Sequence, residues 1–529
     1  MPRSRLSTLG LLLPLALGVV SCDEAEPELW DEQVDPVSFR DVSYVDDPAL
    51  DGPYCQMHED FDRPESRTDP LVRGRIFWPV DCVAGMPIMD SPLILLDKAA
   101  GGLPVYTEES YHHIGNHLAS HGFAVAVLSP GSNSIDHEWI TERAQRVIGY
   151  LDYVFAEWPL AFALDADSIV SAGHSQGGLT ASYTARLIHQ QGLPYVVQAV
   201  IAMAPAYLES ATFSHDASPF FMALYGSRDE DITGRRLPAE PNDVQATVFG
   251  QYDAIGSEYS PTFWPSVTKS MKFVHGWRHQ QFSAPPTSIV SKQMKATSGY
   301  INAALRWRLW GQDEYKPWVT DNLVPPSTAG NWTPYTQYQD GQWQSRRVVD
   351  NFEGPTLETS TIGGSVSTFG NGEVLYGQPA YTLDETVPHG DTQVLVVQPE
   401  FIGEHLTWDI PANVQDMSWF DVLSVRAGKI QGYGLAGSVS LSFRIKSNGV
   451  WSDFVDSEDY VEIPEPDYAV FKPLYEPVGD YSKSPMNTVR IPLEAFDADV
   501  TDVEAVSIHY AGLNETGTRW MLDNLEFSK

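Results

Sequence analysis

Residues 168–183, SIVSAGHSQGGLTASY, carry an apolar run straight into Gly-His-Ser-Gln-Gly-Gly and out into a segment able to form a helix. A serine hydroxyl is a poor nucleophile unless a base takes its proton, and the base needs an acid to hold its tautomer. Gly173 and Gly177 flank Ser175, which lets backbone pass close by while the serine takes an unfavourable conformation. Downstream, PFFMALYGSRDED (219–231) places acids just after an apolar run, and MKFVHGWRHQQF (271–282) supplies histidines. Asp229 is the expected acid, with Asp231 as its substitute. His279 is the expected base, because His275 falls within the strand and its side chain would not reach the sheet's rim. The chemistry is acyl transfer: Ser175 attacks a carbonyl, His279 moves the proton, and Asp229 orients the imidazolium.

Such a trio needs strand ends to hold it. From about Pro92 to Trp310, short apolar runs alternate with amphipathic stretches, the pattern of strand-helix units around a mainly parallel sheet. PLILLD (92–97), FAVAVLSP (123–130), SIVSAG (168–173), VVQAVIAM (196–203), PFFMALYG (219–226) and MKFVHG (271–276) read as strands. Residues 108–122, with Tyr111, Ile114 and Leu118 at helical spacing, read as a helix, as do 140–155 and 291–311. In residues 322–345 the periodicity gives way to Pro, Gly, Ser and Thr, which marks a linker. Beyond Val348 apolar and polar residues alternate between Gly-rich turns, as expected of an antiparallel sandwich.

LASHGFAVAV (118–127), GHSQGG (173–178), YGSRDED (225–231) and FVHGWRHQQF (273–282) together resemble the α/β-hydrolase superfamily, within it the cutinase-like, chlorophyllase-like and platelet-activating-factor acetylhydrolase-like esterases. The likeness spans roughly residues 70 to 312. It implies an α/β fold class, with an α/β-hydrolase domain followed by an all-β jelly-roll sandwich, and a carboxylic ester substrate, small or polymeric, cleaved without a cofactor. A peptidase of the same build is the neighbouring alternative. The resemblance also implies an oxyanion hole. Gln176 supplies one backbone N–H by position; Ala100, or failing it Ala99, supplies the second, although LLDKAAGGLP (95–104) lacks the usual His-Gly. Lys98 in that loop reads as a solvated surface lysine. Trp277 and Arg278 stand before the base where smaller residues are common, and are placed at the mouth of the site. Phe249, Tyr252, Tyr259, Phe263 and Trp264 read as packing for a crossover helix ahead of an acyl-pocket lid. His112, His113 and His117 read as surface helix histidines ahead of metal ligands.

RVVDNFEGP (347–355) and the closing RWMLDNLEF resemble the galactose-binding-like jelly roll of carbohydrate-binding modules. That likeness implies a structural calcium, with Glu353 and Asp523 as candidate ligands, and a polysaccharide partner for which Trp408, Trp419 and Trp451 offer stacking faces. A surface glycan-binding protein with an inactive hydrolase domain is the rival reading.

The first 22 residues, MPRSRLSTLGLLLPLALGVVSC, set Arg3 and Arg5 before an apolar run that is short for a membrane span and suits a secretory signal. The run ends in a cysteine and resembles a bacterial lipobox, which implies lipidation at Cys22, membrane attachment there, and a cell-envelope or secreted location. The two other cysteines, Cys55 and Cys82, are then expected to form a disulfide worth about 3–4 kcal/mol. The formal net charge of −37 repels nucleic acid, which is excluded as a partner. The expected organisation is a signal peptide (1–21), a tether (22–50), the hydrolase domain (51–320), a linker (321–345) and the sandwich (346–529).

Overall fold

Buried β-branched and leucine-rich runs set the centre of the molecule. The computed structural model describes residues 47–62, 73–99, 107–129, 137–206, 219–229, 231–232, 249–255, 267–283, 291–330, 332–341, 343–377, 393–430, 440–464, 467–471, 479–510 and 519–529. Residues Ser38–Lys529 form one unit. Its first sheet holds β1 (Cys55–Asp62), β2 (Arg73–Val80), β3 (Ser91–Asp97), β4 (Ala124–Ser129), β5 (Leu164–His174), β6 (Val197–Met203), β7 (Phe220–Gly226), β8 (Lys269–Val274) and β9 (Pro334–Gln339). Their order is β1-β2-β4-β3-β5-β6-β7-β8-β9. The run from β4 to β8 is parallel, while β1, β2 and β9 join antiparallel. Side chains of β3 and β7 are buried along their whole length, which fits near-continuous apolar sequence rather than alternation.

The helices are α1 (His112–Ser120), α2 (His137–Glu157), α3 (Gln176–Gln190), α4 (Gly250–Ala254), α5 (Lys292–Trp310) and α6 (Lys316–Thr320). α5 starts at Ser291, whose hydroxyl accepts the Met294 N–H, and ends at Gly311 in the left-handed region, as expected of an N-cap serine and a C-terminal glycine. α1 packs on α5 and α2 on α3.

The later strands are β10 (Arg346–Asp350), β11 (Val366–Phe369), β12 (Glu373–Gly377), β13 (Val394–Gln398), β14 (His405–Asp409), β15 (Val422–Lys429), β16 (Leu441–Ser447), β17 (Val450–Trp451), β18 (Val455–Asp456), β19 (Asp467–Phe471), β20 (Gly479–Lys483), β21 (Met486–Pro492), β22 (Val503–Tyr510) and β23 (Trp520–Ser528). β12-β13-β23-β15-β21, with β10 on β23, face β11-β14-β22-β16-β17, with β18 on β16. Leu395, Val425 and Leu522 of one sheet and Trp408, Phe443 and Ile508 of the other share one core.

The α/β class, and with it the α/β-hydrolase assignment of the fold, is corrected by this inventory. Strand takes 38% of the described residues and helix 28%, and antiparallel pairings outnumber parallel ones. The molecule is β-rich. The physical reason is that the later strands, the β1-β2 hairpin and β9 all add antiparallel pairs, whereas several helical stretches are single short turns such as α4 and α6.

Two details differ from the expected layout. β9 lies inside the stretch read as a linker. Its polar-looking sequence PYTQYQ is nonetheless buried, because Asn487 Oδ1 accepts the Thr336 N–H at 2.9 Å and Thr488 Oγ1 accepts that of Tyr338 at 2.9 Å. Side chains of β21 thus satisfy an edge that would otherwise expose unpaired donors. Secondly, Pro48 at the end of the expected tether is docked on the sheet-covering helices: its carbonyl accepts from His117 at 3.0 Å and from Asn302 at 3.1 Å. Cys55 and Cys82 are joined by a disulfide with Cα atoms 5.0 Å apart. Cys22 lies outside the described residues, and among those described no helix is long and apolar enough to cross a membrane.

Candidate active site

The parallel register brings several strand ends to one rim. Asp97 pairs with Gly173, His174 with Met203, Met203 with Leu224, and Gly226 with Val274. Ser175 follows β5 directly and is the N-cap of α3, with φ 57° and ψ −120°. A non-glycine residue held there stores about 1–3 kcal/mol of strain. The Ser175 N–H donates to Met203 O at 2.8 Å, and its carbonyl accepts from Gly178 at 3.0 Å, which fixes the turn from both sides. Close approach requires the flanking glycine: a Cβ on Gly177 would lie 2.2 Å from Asp97 O. Ser175 is half-buried.

Asp229 and His279 meet in the interior. His279 Nδ1 donates to Asp229 Oδ2 at 2.9 Å, with the two side chains 1% and 0% exposed. Asp229 Oδ1 accepts the N–H groups of Asp231 at 3.0 Å and Ile232 at 2.7 Å. Three donors on one buried carboxylate favour its charged form. With Nδ1 donating, Nε2 becomes the basic atom. The turns carrying acid and base are laced together: Ser227 Oγ accepts the Gly276 N–H at 2.9 Å, and Arg228 N–H donates to Trp277 O at 2.9 Å. Gly226 has to be glycine there, since a Cβ would stand 2.3 Å from Trp277 O.

His174 joins the serine turn to the histidine. Its ring lies 4.7 Å from that of His279 and 5.5 Å from that of Phe282. Tyr111 OH donates to its Nδ1 at 2.8 Å and accepts the Ala99 N–H at 3.0 Å. Burial, reinforced by His279, holds the His174 pKa well below the ordinary histidine range, so it stays neutral beside the base. Sequence reasoning passed over His174 and Tyr111. The only available signal was their aromatic type beside the turn and on the core-facing side of a helix.

Two further supports were also missed. Gln293 of α5 accepts the Arg278 N–H at 3.1 Å and donates to its carbonyl at 2.9 Å, clamping the residue before His279. Arg143 of α2 donates to both oxygens of Asp97, at 2.6 and 2.5 Å, and to the Lys98 carbonyl. Burial, partly offset by Arg143, pushes the Asp97 carboxyl up.

Expected site residues fall out as follows. Ser175, Asp229 and His279 occupy one rim, and Asp231 reaches the far side of the imidazole, 3.4 Å from Nε2. None of the described residues accepts the Gln176 N–H. Ala100 lies outside the described residues, and the Ala99 N–H is committed to Tyr111. Lys98 is half-buried rather than solvated, and burial lowers its pKa. Trp277 is not at the mouth: in the turn after β8 it is buried against Phe282, Tyr300 and Trp332. Arg278 is exposed. Phe249 and Tyr252 are core; Tyr259, Phe263 and Trp264 lie outside the described residues.

His113 and His117 are buried, not on a helix surface; Pro48 and Asp51 lie against His117. Among the described residues no group of three or more metal-ligating side chains converges. Glu353 accepts the Gln393 N–H at 2.8 Å, while Asp523 binds Arg426 at 2.5 Å. Trp408 is core, donating to Asp350 at 3.0 Å. Trp451 lies under Arg444, 4.4 Å from ring centre to guanidinium, and Trp419 is 71% exposed. No protein-family model matches the chain, and no significant match exists among curated proteins.

Proposed function

We propose that this protein is a serine hydrolase that cleaves carboxylic esters through an acyl-enzyme. The observation that carries the reading is the strained Ser175 turn sharing a rim with the buried Asp229–His279 hydrogen bond of 2.9 Å. In the first half-reaction Ser175 Oγ attacks the ester carbonyl while its proton passes to His279 Nε2. Asp229 stabilises the imidazolium through Nδ1. The negative charge that develops on the carbonyl oxygen is met by the Gln176 N–H at the start of α3, where the helix end adds favourable potential. Collapse breaks the ester C–O bond, and the Nε2 proton leaves with the alcohol. Water then repeats the sequence on the acyl-serine and returns the enzyme.

Strain at Ser175 supports this chemistry rather than a turn for its own sake, because strained residues persist where surrounding structure over-determines them for function. Anchoring through a lipid at Cys22, with residence in the cell envelope, belongs to the same proposal and rests on the first 22 residues. Hydrolysis of a p-nitrophenyl ester chain-length series, by wild type and Ser175→Ala, tests it. Turnover that disappears in the variant is expected; equal turnover in both would remove Ser175 from the chemistry.

A further inference from the structure

Asp231 occupies a place that the proton relay does not use. Its Oδ2 lies 3.4 Å from His279 Nε2, and its side chain is 34% exposed, against 1% for His279 and 0% for Asp229. It therefore faces both the reacting nitrogen and solvent. Its backbone cannot drift, since its N–H is held on Asp229 Oδ1 at 3.0 Å.

With Nδ1 donating to Asp229, Nε2 is the basic atom of a neutral imidazole, so Asp231 gains a positive partner only when His279 is protonated. Among the described residues His279 is its only ion pair. His174, its ring 4.7 Å from the same imidazole, is neutral and supplies no second cation. Burial, opposed by His279 and reinforced by Asp229, pushes the Asp231 carboxyl up, as expected of an acid short of counter-charge. While His279 is neutral and ready to take the serine proton, this partly buried carboxylate has no cation beside it among the described residues.

We propose that Asp231 is a specificity residue that favours esters carrying a cationic group near the scissile carbonyl and disfavours anionic ones. The inference rests on the serine-esterase reading. A substrate ammonium supplies the counter-charge that Asp231 lacks beside a neutral imidazole, whereas an anionic group meets a second uncompensated charge. The formal charge of −37 repels anions at long range in the same sense, so the local contribution has to be separated from the global one.

The test uses the mature chain and an isosteric pair, butyrylcholine and its uncharged carbon analogue 3,3-dimethylbutyl butyrate. In 0.5 M NaCl, where long-range fields are screened, wild type is expected to prefer the cation in kcat/KM by about fivefold, the scale of a partly exposed ion pair. Asp231→Asn should bring the ratio close to one, and Asp231→Glu should restore part of it. A wild-type ratio near one, or a ratio equal in wild type and Asp231→Asn, overturns the proposal; a residue acting only on stability would leave the ratio unmoved. Fluorophosphonate labelling of the same samples separates the two failures. Labelled enzyme with a flat ratio refutes the role of Asp231 alone, and absence of both labelling and ester turnover refutes the esterase reading and this inference with it.

Discussion

Arg426→Met should destabilise the protein by about 3–5 kcal/mol, the cost of stripping one partner from a buried ion pair. Arg426 sits on β15 and donates to Asp253 of α4 at 2.7 Å, to Asp523 of β23 at 2.5 Å and to Gln337 of β9 at 2.8 Å. Both carboxylates are essentially inaccessible, at 0% and 1% side-chain exposure, so water cannot replace the guanidinium. The substitution keeps most of the stem's volume, which leaves the lost charge as the main term. α4 also reaches α3, which Ser175 caps, where Gln251 donates to Ser182 at 2.7 Å, so on the proposed function looser packing should lower ester turnover as well. Urea unfolding followed by tryptophan fluorescence gives the free energy. The triple variant Arg426→Met/Asp253→Asn/Asp523→Asn should recover much of the loss, since it removes the charges left without a partner. A single-variant cost below about 1 kcal/mol would refute the reasoning, because it is the value of a solvated surface pair.

Asp229→Asn should cut kcat/KM by about 10³- to 10⁴-fold by losing the acceptor that fixes the His279 tautomer, and Asp231→Asn should fall far short of that loss; similar losses in both would contradict the division of roles. Gly177→Ala should abolish activity or folding, because its Cβ would stand 2.2 Å from Asp97 O; activity within a few-fold of wild type would show that the turn can open. Asp523 has its carboxyl raised from 3.8 to about 6 by burial, with Arg426 opposing. A raised folded-state value means its contribution is fully present below the unfolded value near 4 and lost as pH rises through about 6, at most on the order of 3 kcal/mol. Denaturation midpoints should therefore fall over that window in wild type and fall less in Asp523→Asn, and parallel profiles would refute the assignment.

Much of the site was legible because its chemistry is local in sequence. Glycines flank Ser175 to admit close backbone, and the GSRD turn and GWRH loop follow strands whose apolar runs are unmistakable. The α5 segment was readable as a long helix over 291–311, and the structure bounds it with the serine N-cap and left-handed glycine found there. Choosing Asp229 over Asp231 was a matter of spacing alone, and the depth of the first and exposure of the second are what separate their roles. What sequence hid is non-local. β9 looks like linker until Asn487 and Thr488, some 150 residues away, satisfy its backbone. Trp277 looks like a mouth residue until Tyr300 and Trp332, distant in sequence, pack against it. Arg143, Gln293 and Arg426 are ordinary polar positions on paper, and their weight comes from the buried partners that folding brings to them. The α/β class failed by weight: the antiparallel sandwich beyond Val348 was expected, but β1, β2 and β9, which add antiparallel pairs to the first sheet, were not, and the strands together outweigh the helices.

The most direct measurement is labelling of the full-length protein with a fluorophosphonate, with the modified residue located by mass spectrometry. A hydroxyl activated by the Asp229–His279 pair should be modified rapidly at Ser175 and slowly in His279→Ala. No modification of Ser175, or the same rate in His279→Ala, would contradict the serine-hydrolase account.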